Sequence, residues 1–330
     1  MRSPSDIRFL KRTLALAASV PPRDVSPNPR VGCVLVKAGR VVGAGAHRRL
    51  GGPHAEAIAL KKAGSRAKGA TAYMTLEPCT AFPGKRTPSC AEALAAAGVK
   101  RVVCASLDPN PKVAGRGLSL LKRAGIRAER VVEPAADAEA LNRGFFSRMR
   151  RGRPWVILKT ALSLDGKAAA ASGRSRWVTG PQARAAVHAM RAECDAILVG
   201  AGTVLADDPA LTAHGAGGNP LRVVLAGRRA LPPDARVFDA SAPTVLYRIK
   251  KPRDLRAALR DLARDGVGTL LVEGGPTVHA SFLRAGLVDE ARVFLAPKLL
   301  SGANDPNTAP RLRTPRVTRL GVDWLIQGVL

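Results

Sequence analysis

The chain has 330 residues and a net charge of +28, and its apolar share of 46% is enough to fill two hydrophobic cores rather than one. Glycine and proline are spread without period, which excludes a fibrous or low-complexity protein. Neither a cleavable apolar leader nor a run of about eighteen apolar residues is found, so the expectation is a soluble cytoplasmic protein without a membrane segment.

Elements alternate from the start. Ser5 is placed as the cap of a helix whose apolar face carries Ile7, Leu10, Leu14 and Ala17 at helical spacing. Val31–Lys37 and Arg40–Ala46 read as two strands joined by a tight turn at Ala38-Gly39. Helix His54–Ala63, strand Ala70–Leu76, helix Cys90–Ala97, strand Arg101–Ser106 and a helix over Gly117–Ala124 follow. Strand Ile126–Val132 and one long helix, Pro134–Met149, complete a layered α/β domain with a largely parallel sheet over residues 1–150. The basic run Arg148–Arg153, followed by Pro154, marks the boundary to a second domain over 151–330. There, strands Trp155–Thr160, Asp195–Val199, Leu221–Leu225, Thr244–Tyr247, Gly268–Val272 and Glu290–Ala296 alternate with helices Pro181–Arg191, Pro252–Arg264 and Thr277–Ala285. An apolar stretch, Val322–Leu330, is placed as a last strand closing that sheet. The halves do not repeat one another, so two different α/β domains are expected.

Five cysteines in so large a chain point to a reducing compartment, where thiols near His and Glu serve a metal or catalysis before cross-linking. His54 and Glu56 open one helix, Cys79 follows a strand, and Cys90 begins another helix. One His and two thiolates leave one position of a tetrahedral zinc open, which is the pattern of a catalytic rather than a structural site. This H-x-E and P-C…C arrangement is the signature of zinc deaminases, with Glu56 as proton carrier and not as ligand. The ten residues between Cys79 and Cys90 must fold back to bring both sulfurs to one ion. Cys33, Cys104 and Cys194 lie in apolar surroundings and read as core residues.

The basic residues are scattered and aromatic residues are few, which favours a solvated basic surface over a nucleic-acid partner. A nucleic-acid-editing deaminase leaves the second half unexplained. A non-catalytic RNA-binding protein with a structural zinc leaves Glu56 unexplained. In the second half no G-x-G-x-x-G follows an early strand, so a Rossmann site is not expected. Gly200-Ala201-Gly202-Thr203 and Glu273-Gly274-Gly275 instead sit where strands meet helices, where backbone amides can approach a phosphate.

With SPNPRVGCV, GGPHAEAIAL, TLEPC, RTPSCAEAL and DPNPKVAGRG in the first half, the chain resembles the bifunctional riboflavin-biosynthesis deaminase/reductase family. LSLDGK, SRWVTG, AILVGAGTVLADDPALT, LVEGGPT and APKLL extend the resemblance over the second half, in the family's order. The resemblance implies a cytidine-deaminase-like three-layer domain followed by a dihydrofolate-reductase-like domain, zinc and NADPH as cofactors, and a homo-oligomer, dimer or tetramer. It implies deamination of a phosphorylated ribosylaminopyrimidine and then reduction of its ribosyl group. It places Asn28, His47, Asp108 and Asn110 around the pyrimidine. It assigns Ala161, Trp177, Thr203, Asp207 and the run Gly275, Pro276, Thr277, Val278, His279, Ala280 and Ser281 to NADPH. It assigns Ser175, Arg191, Leu211, His214 and Glu273 to the reductase substrate, with Arg191 as a permanent cation for its phosphate. Lys159 and Lys167 are further candidates for the reductase chemistry, and Arg228 and Arg229 for preferring NADPH to NADH. The chain departs from the family pattern in a Cys79–Cys90 loop longer by two residues, in His214 where Arg is common, and in a shortened segment after Leu300.

Overall fold

The structure, a computed structural model, describes residues 4–81, 83, 87–173, 177–227, 229–249, 251–320 and 323–329. It divides into two compact units, residues 1–155 with 256–269, and 156–255 with 270–330.

The first unit is a helix–sheet–helix sandwich. Its strands are β1 (Gly32–Lys37), β2 (Arg40–Ala46), β3 (Thr71–Leu76), β4 (Arg101–Ser106) and β5 (Arg127–Arg130), in the order β2-β1-β3-β4-β5. β3, β4 and β5 are parallel, but β1 runs antiparallel to both β2 and β3, so the sheet is mixed rather than largely parallel. The cause is local: Ala38 and Gly39 both take positive φ and turn the chain straight back. Helices α1 (Pro4–Ala18), α2 (Pro22–Val25), α3 (Ala55–Ala63), α4 (Cys90–Ala96), α5 (Arg116–Arg123), α6 (Ala135–Leu141) and α7 (Arg143–Arg151) complete the unit. Period-two alternation sends Cys33, Leu35, Met74 and Cys104 to one face, against Ala59, Leu94 and Leu121 of α3, α4 and α5. Val34, Val36, Tyr73 and Val103 meet Phe9 and Leu10 of α1 on the other. Helix α3 lies so close to β2 that a Cβ at Gly43 would stand 2.2 Å from the Ala59 carbonyl. That contact seats the helix carrying Glu56.

Two expectations are corrected here. Ser5 lies inside α1 rather than capping it. The long helix expected over Pro134–Met149 breaks into α6 and α7 at Asn142, whose φ of −118° is not helical. Asn142 instead turns its amide to the chain at Arg30, accepting from the Arg30 N–H at 2.8 Å and donating to its carbonyl at 2.9 Å. The basic run that ends α7 is bound within the unit. Arg148 donates to the Pro27 carbonyl, Arg150 forks onto Glu139, Arg151 donates to Ser147, and Arg153 donates to the Pro154 carbonyl.

The second unit is built on β6 (Trp155–Ser163), β7 (Ala196–Gly200), β8 (Leu221–Leu225), β9 (Thr244–Tyr247), β10 (Thr269–Gly274) and β11 (Glu290–Ala296), in the order β11-β6-β10-β7-β8-β9. Four of these pairings, β11–β6, β10–β7, β7–β8 and β8–β9, are parallel. Helices α8 (Pro181–Glu193), α9 (Ala201–Asp207), α10 (Pro252–Arg264) and α11 (Pro276–Arg284) connect the strands, the greater part of α10 belonging to the first unit. The C-terminal strand does not close the sheet. Instead, β13 (Asp323–Val329) pairs antiparallel with β12 (Arg313–Leu320), a strand not foreseen, in a separate two-stranded sheet. The nearest partner along the chain wins because a short closure costs the least chain entropy.

Candidate active sites

In the first unit His54 stands at the N-cap of α3 in extended conformation, with Glu56 in the first turn. The His54 Nδ1 lies 3.4 Å from Cys79 Sγ and 3.3 Å from Cys90 Sγ. Zinc–sulfur and zinc–nitrogen bonds at a tetrahedral angle put such atoms about 3.6 Å apart, so the three donors fit a zinc ion. The His54 Nε2 faces Thr87 Oγ1 at 3.2 Å, an outer contact that directs the Nδ1 lone pair toward the sulfurs. The Cys79–Cys90 loop closes through its ends. The Ala91 N–H and the Ser89 hydroxyl both donate to the Cys79 carbonyl, while Ser89 also caps α4 by accepting from the Glu92 N–H. A hydrogen bond with Cys90, together with His54, holds the Cys79 thiol well below its ordinary range against the effect of burial. Burial pushes Cys104 and Cys194 the other way, to about 12, as expected of core thiols. Glu56 is 3% exposed, and burial, with the Cys79 charge adding to it, pushes its carboxyl up to about 7.

Around this point, the His47 Nδ1 donates to the Pro53 carbonyl at 3.1 Å, which leaves Nε2 to face the Asn28 amide at 3.5 Å. The His47 and His54 rings meet edge to face at 5.3 Å. Asp108 is buried, which pushes its carboxyl up to about 6, and it accepts the Asn110 N–H at 2.8 Å. The loop carrying Asp108 and Asn110 hangs on Glu77, a residue to which the sequence reading gave no role. Its buried carboxylate accepts four backbone N–H groups: Asp108 at 3.3 Å, Gly115 at 2.9 Å, Gly117 at 3.0 Å and Leu118 at 3.2 Å. Gly117 is needed there, since a Cβ would stand 2.0 Å from the Pro78 carbonyl. The signal was present in the TLEPC and GRG segments, but only their meeting in space gives it meaning.

In the second unit the two glycine segments lie side by side at the C-terminal ends of the adjacent parallel strands β7 and β10. Gly200 caps α9, and Gly275 caps α11 with Pro276 at its first position. A Cβ on Gly275 would lie 3.3 Å from Thr203 Oγ1, and one on Gly200 2.7 Å from Val278. Two helix N-termini with no Cβ between them and a ligand suit the phosphates of a dinucleotide. A guanidinium nitrogen of Arg229 would stand 3.2 Å from a Cβ on Gly202. Glu273, at the end of β10, takes a two-pronged pair from Arg191 at 2.7 and 2.9 Å and a longer contact from Lys159 on β6 at 3.6 Å. Burial pushes its carboxyl up, and these cations overcome that to leave it below its ordinary value.

Arg191 also donates to the Thr212 carbonyl at 3.0 Å. His214 stacks at 4.3 Å on His188, which the sequence reading missed. Leu211 and His214 both take positive φ, Leu211 buried and His214 exposed. Ala161 lies on β6 two residues beyond Lys159, and Asp207 is the last residue of α9. On α11 the Ser281 hydroxyl turns back to the Thr277 carbonyl. The His279 ring packs over Gly274, with its Nε2 buried and unpartnered among the described residues. Trp177 is half exposed, with the Arg184 guanidinium 4.4 Å from its ring. Ser175 and Arg228 fall outside the described residues.

These are the parts of a zinc-dependent deaminase and of a separate reductase carried on one chain. Residues 4–106 match the family described as the cytidine and deoxycytidylate deaminase zinc-binding region, and residues 154–326 that described as the RibD C-terminal domain. The riboflavin biosynthesis protein RibD of Escherichia coli is 44% identical over 87% of this chain and 86% of its own length. That of Mycobacterium tuberculosis is 45% identical over 92% and 91%. Among solved structures, Acinetobacter baumannii RibD is 38% identical with a TM-score of 0.84, covering 98% of each chain. The Thermotoga maritima diaminohydroxyphosphoribosylaminopyrimidine deaminase/5-amino-6-(5-phosphoribosylamino)uracil reductase is 33% identical with a TM-score of 0.79, over 98% of this chain and 97% of that one. The chain belongs to the RibD family of riboflavin biosynthesis, bifunctional deaminases and reductases that use zinc and NADPH. Among the described residues no helix is long and apolar enough to cross a membrane.

Proposed function

We propose that residues 1–150 hydrolytically remove the 2-amino group of 2,5-diamino-6-ribosylamino-4(3H)-pyrimidinone 5′-phosphate, and that residues 151–330 then reduce its ribosyl group to ribityl. The observation that carries this reading is the meeting of His54, Cys79 and Cys90 beside buried Glu56, on a chain that also holds Glu273 between two cations next to paired glycine loops. Zinc, when bound, supplies a Lewis acid that brings the pKa of water toward neutrality. Glu56 takes one proton from the attacking water and delivers it to the ring nitrogen; it then carries the remaining hydroxyl proton to the exocyclic amino group, which leaves as ammonia as the carbonyl forms. A carboxyl poised near neutrality suits both halves of that task. Asn28, His47, Asp108 and Asn110 present donors and acceptors to the pyrimidine edge.

In the second reaction NADPH supplies the hydride. Thr203 and the start of α11, Gly275 to Ser281, line its phosphates, with Ala161, Trp177 and Asp207 toward the nicotinamide end. Arg229, beside Gly202, favours the cofactor's 2′-phosphate. Arg191 and Lys159 orient the Glu273 carboxylate toward the opened sugar, while Ser175, Leu211 and His214 hold the rest of the substrate. The enzyme is read as a cytoplasmic homo-oligomer acting on this small phosphorylated pyrimidine without a nucleic-acid partner, since its densest basic run is bound within its own unit. A coupled assay tests the proposal. Purified chain should release ammonia from the diaminopyrimidine without NADPH, and should oxidise NADPH only after that release. Failure of either half removes the corresponding assignment.

A further inference from the structure

The segment that follows Leu300 is tied at several points to the loop after β6. The Asp165 carboxylate accepts the Leu300 N–H at 2.9 Å and the Ser301 N–H at 2.6 Å, and the Leu164 N–H donates to the Lys298 carbonyl at 2.9 Å. Farther along, the Ala171 N–H donates to the Ala303 carbonyl at 3.0 Å and the Ser172 hydroxyl to that of Asn304. Val178, Ala296, Leu300 and Ala309 form a small core of their own between these two stretches. Between Ala296 and Leu300 in the chain is Lys298, only 8% exposed, whose Nζ donates to the Trp177 carbonyl at 3.0 Å and to the Pro306 carbonyl at 2.8 Å.

We propose that Lys298 is a positioning residue for the reductase, a buried ammonium that clasps the Trp177 and Pro306 carbonyls and so holds the Trp177 ring at the NADPH site. The Trp177 ring is 50% exposed and is not fixed by its own burial. Its neighbour Val178 is buried in the small core, and the Trp177 carbonyl is held by the ammonium. A buried ammonium stays in place only while its hydrogen bonds are made, and its removal leaves two carbonyls without their donor. The loop would then lose the tie that acts at Trp177 itself, while its other ties to the C-terminal segment remain. Arg184, over the face of the same ring, restrains it from the side. The proposal rests on the reading that Trp177 contacts NADPH, and the test separates the two.

In the full chain, Lys298→Met should weaken NADPH binding about tenfold by calorimetric titration and raise the KM for NADPH in step. At saturating NADPH, kcat should stay within about twofold, and deaminase turnover should not change. Lys298→Arg, which can still donate to both carbonyls, should bind NADPH within about threefold of the parent. If the Met variant does not fold, Lys298→Gln, which keeps one donor group, carries the same measurements. Unchanged NADPH affinity in the Lys298 variants, alongside weakened binding in Trp177→Ala, overturns the clasp and leaves the cofactor placement standing. Unchanged affinity in Trp177→Ala overturns the cofactor placement and the clasp with it. Equal loss of kcat and affinity in the folded Lys298 variants, with no rescue by Arg, assigns Lys298 to stability alone and overturns its positioning role.

Discussion

Each unit buries a glutamate beside its site, and the two are satisfied differently. Glu77 accepts four main-chain N–H groups, three where α5 begins and one at Asp108 after β4. Glu273 is held by the side chains of Arg191 and Lys159. Amide dipoles carry no net charge and cannot swing away, so the Glu77 arrangement fixes the loop with Asp108 and Asn110 in one place. The ion pairs around Glu273 can be redistributed when a charged ligand enters, because side chains rotate and main chain does not. The first arrangement holds its carboxylate by main chain, while the second holds it by side chains.

The largest test of the division between the units is Glu56→Gln. Deaminase turnover should fall by about 10²–10⁴-fold, the usual contribution of a positioned acid–base group, while zinc content and reduction of the deaminated substrate stay unchanged. A parallel loss of reduction would show that the two sites do not work separately. Next in size, Arg191→Met leaves a buried carboxylate with one distant cation and should destabilise the second unit by about 3–5 kcal/mol in denaturant unfolding. Glu77→Gln replaces an acceptor by an amide that still satisfies part of the ring, and about 1–3 kcal/mol from the first unit is expected. If Glu77→Gln proves the costlier of the two, the contrast between a carboxylate held by main chain and one held by side chains is wrong.

The smallest effect concerns acid. The hydrogen bond from Arg101, assisted by that of Tyr73 and opposed by burial, holds Asp6 below the usual carboxylate range. A depressed folded pKa means that this stability is complete above the unfolded value of about 3.9 and is lost as pH falls through the folded one. Asp6→Asn should therefore weaken the first unit at pH 6 but flatten its loss of stability as the pH falls below about 4. Urea midpoints across that range would show it, and an unchanged slope would mean that Asp6 is not an acid-sensitive tie.

The grouping of His54, Glu56, Cys79 and Cys90 was legible in the chain because few residue types bind zinc and the local elements put each at the end of a helix or strand. The alternation of strand and helix was equally legible, since period two and period 3.6 are local properties. The break at Asn142 was not, because the side chain that leaves the helix does so for Arg30, 112 residues away in sequence. Nor was the pairing of the last strand, which the chain's apolar pattern assigned to the large sheet and its nearest neighbour took instead. Glu77 meets Leu118 over 41 residues, Arg191 meets Glu273 over 82, and Lys298 meets the Trp177 carbonyl over 121. Residue type and spacing announce which groups can bind a metal or a phosphate. Which buried charge is held by a backbone, which by another charge, and which joins two distant loops depends on closures between distant segments, and only the tertiary fold makes them.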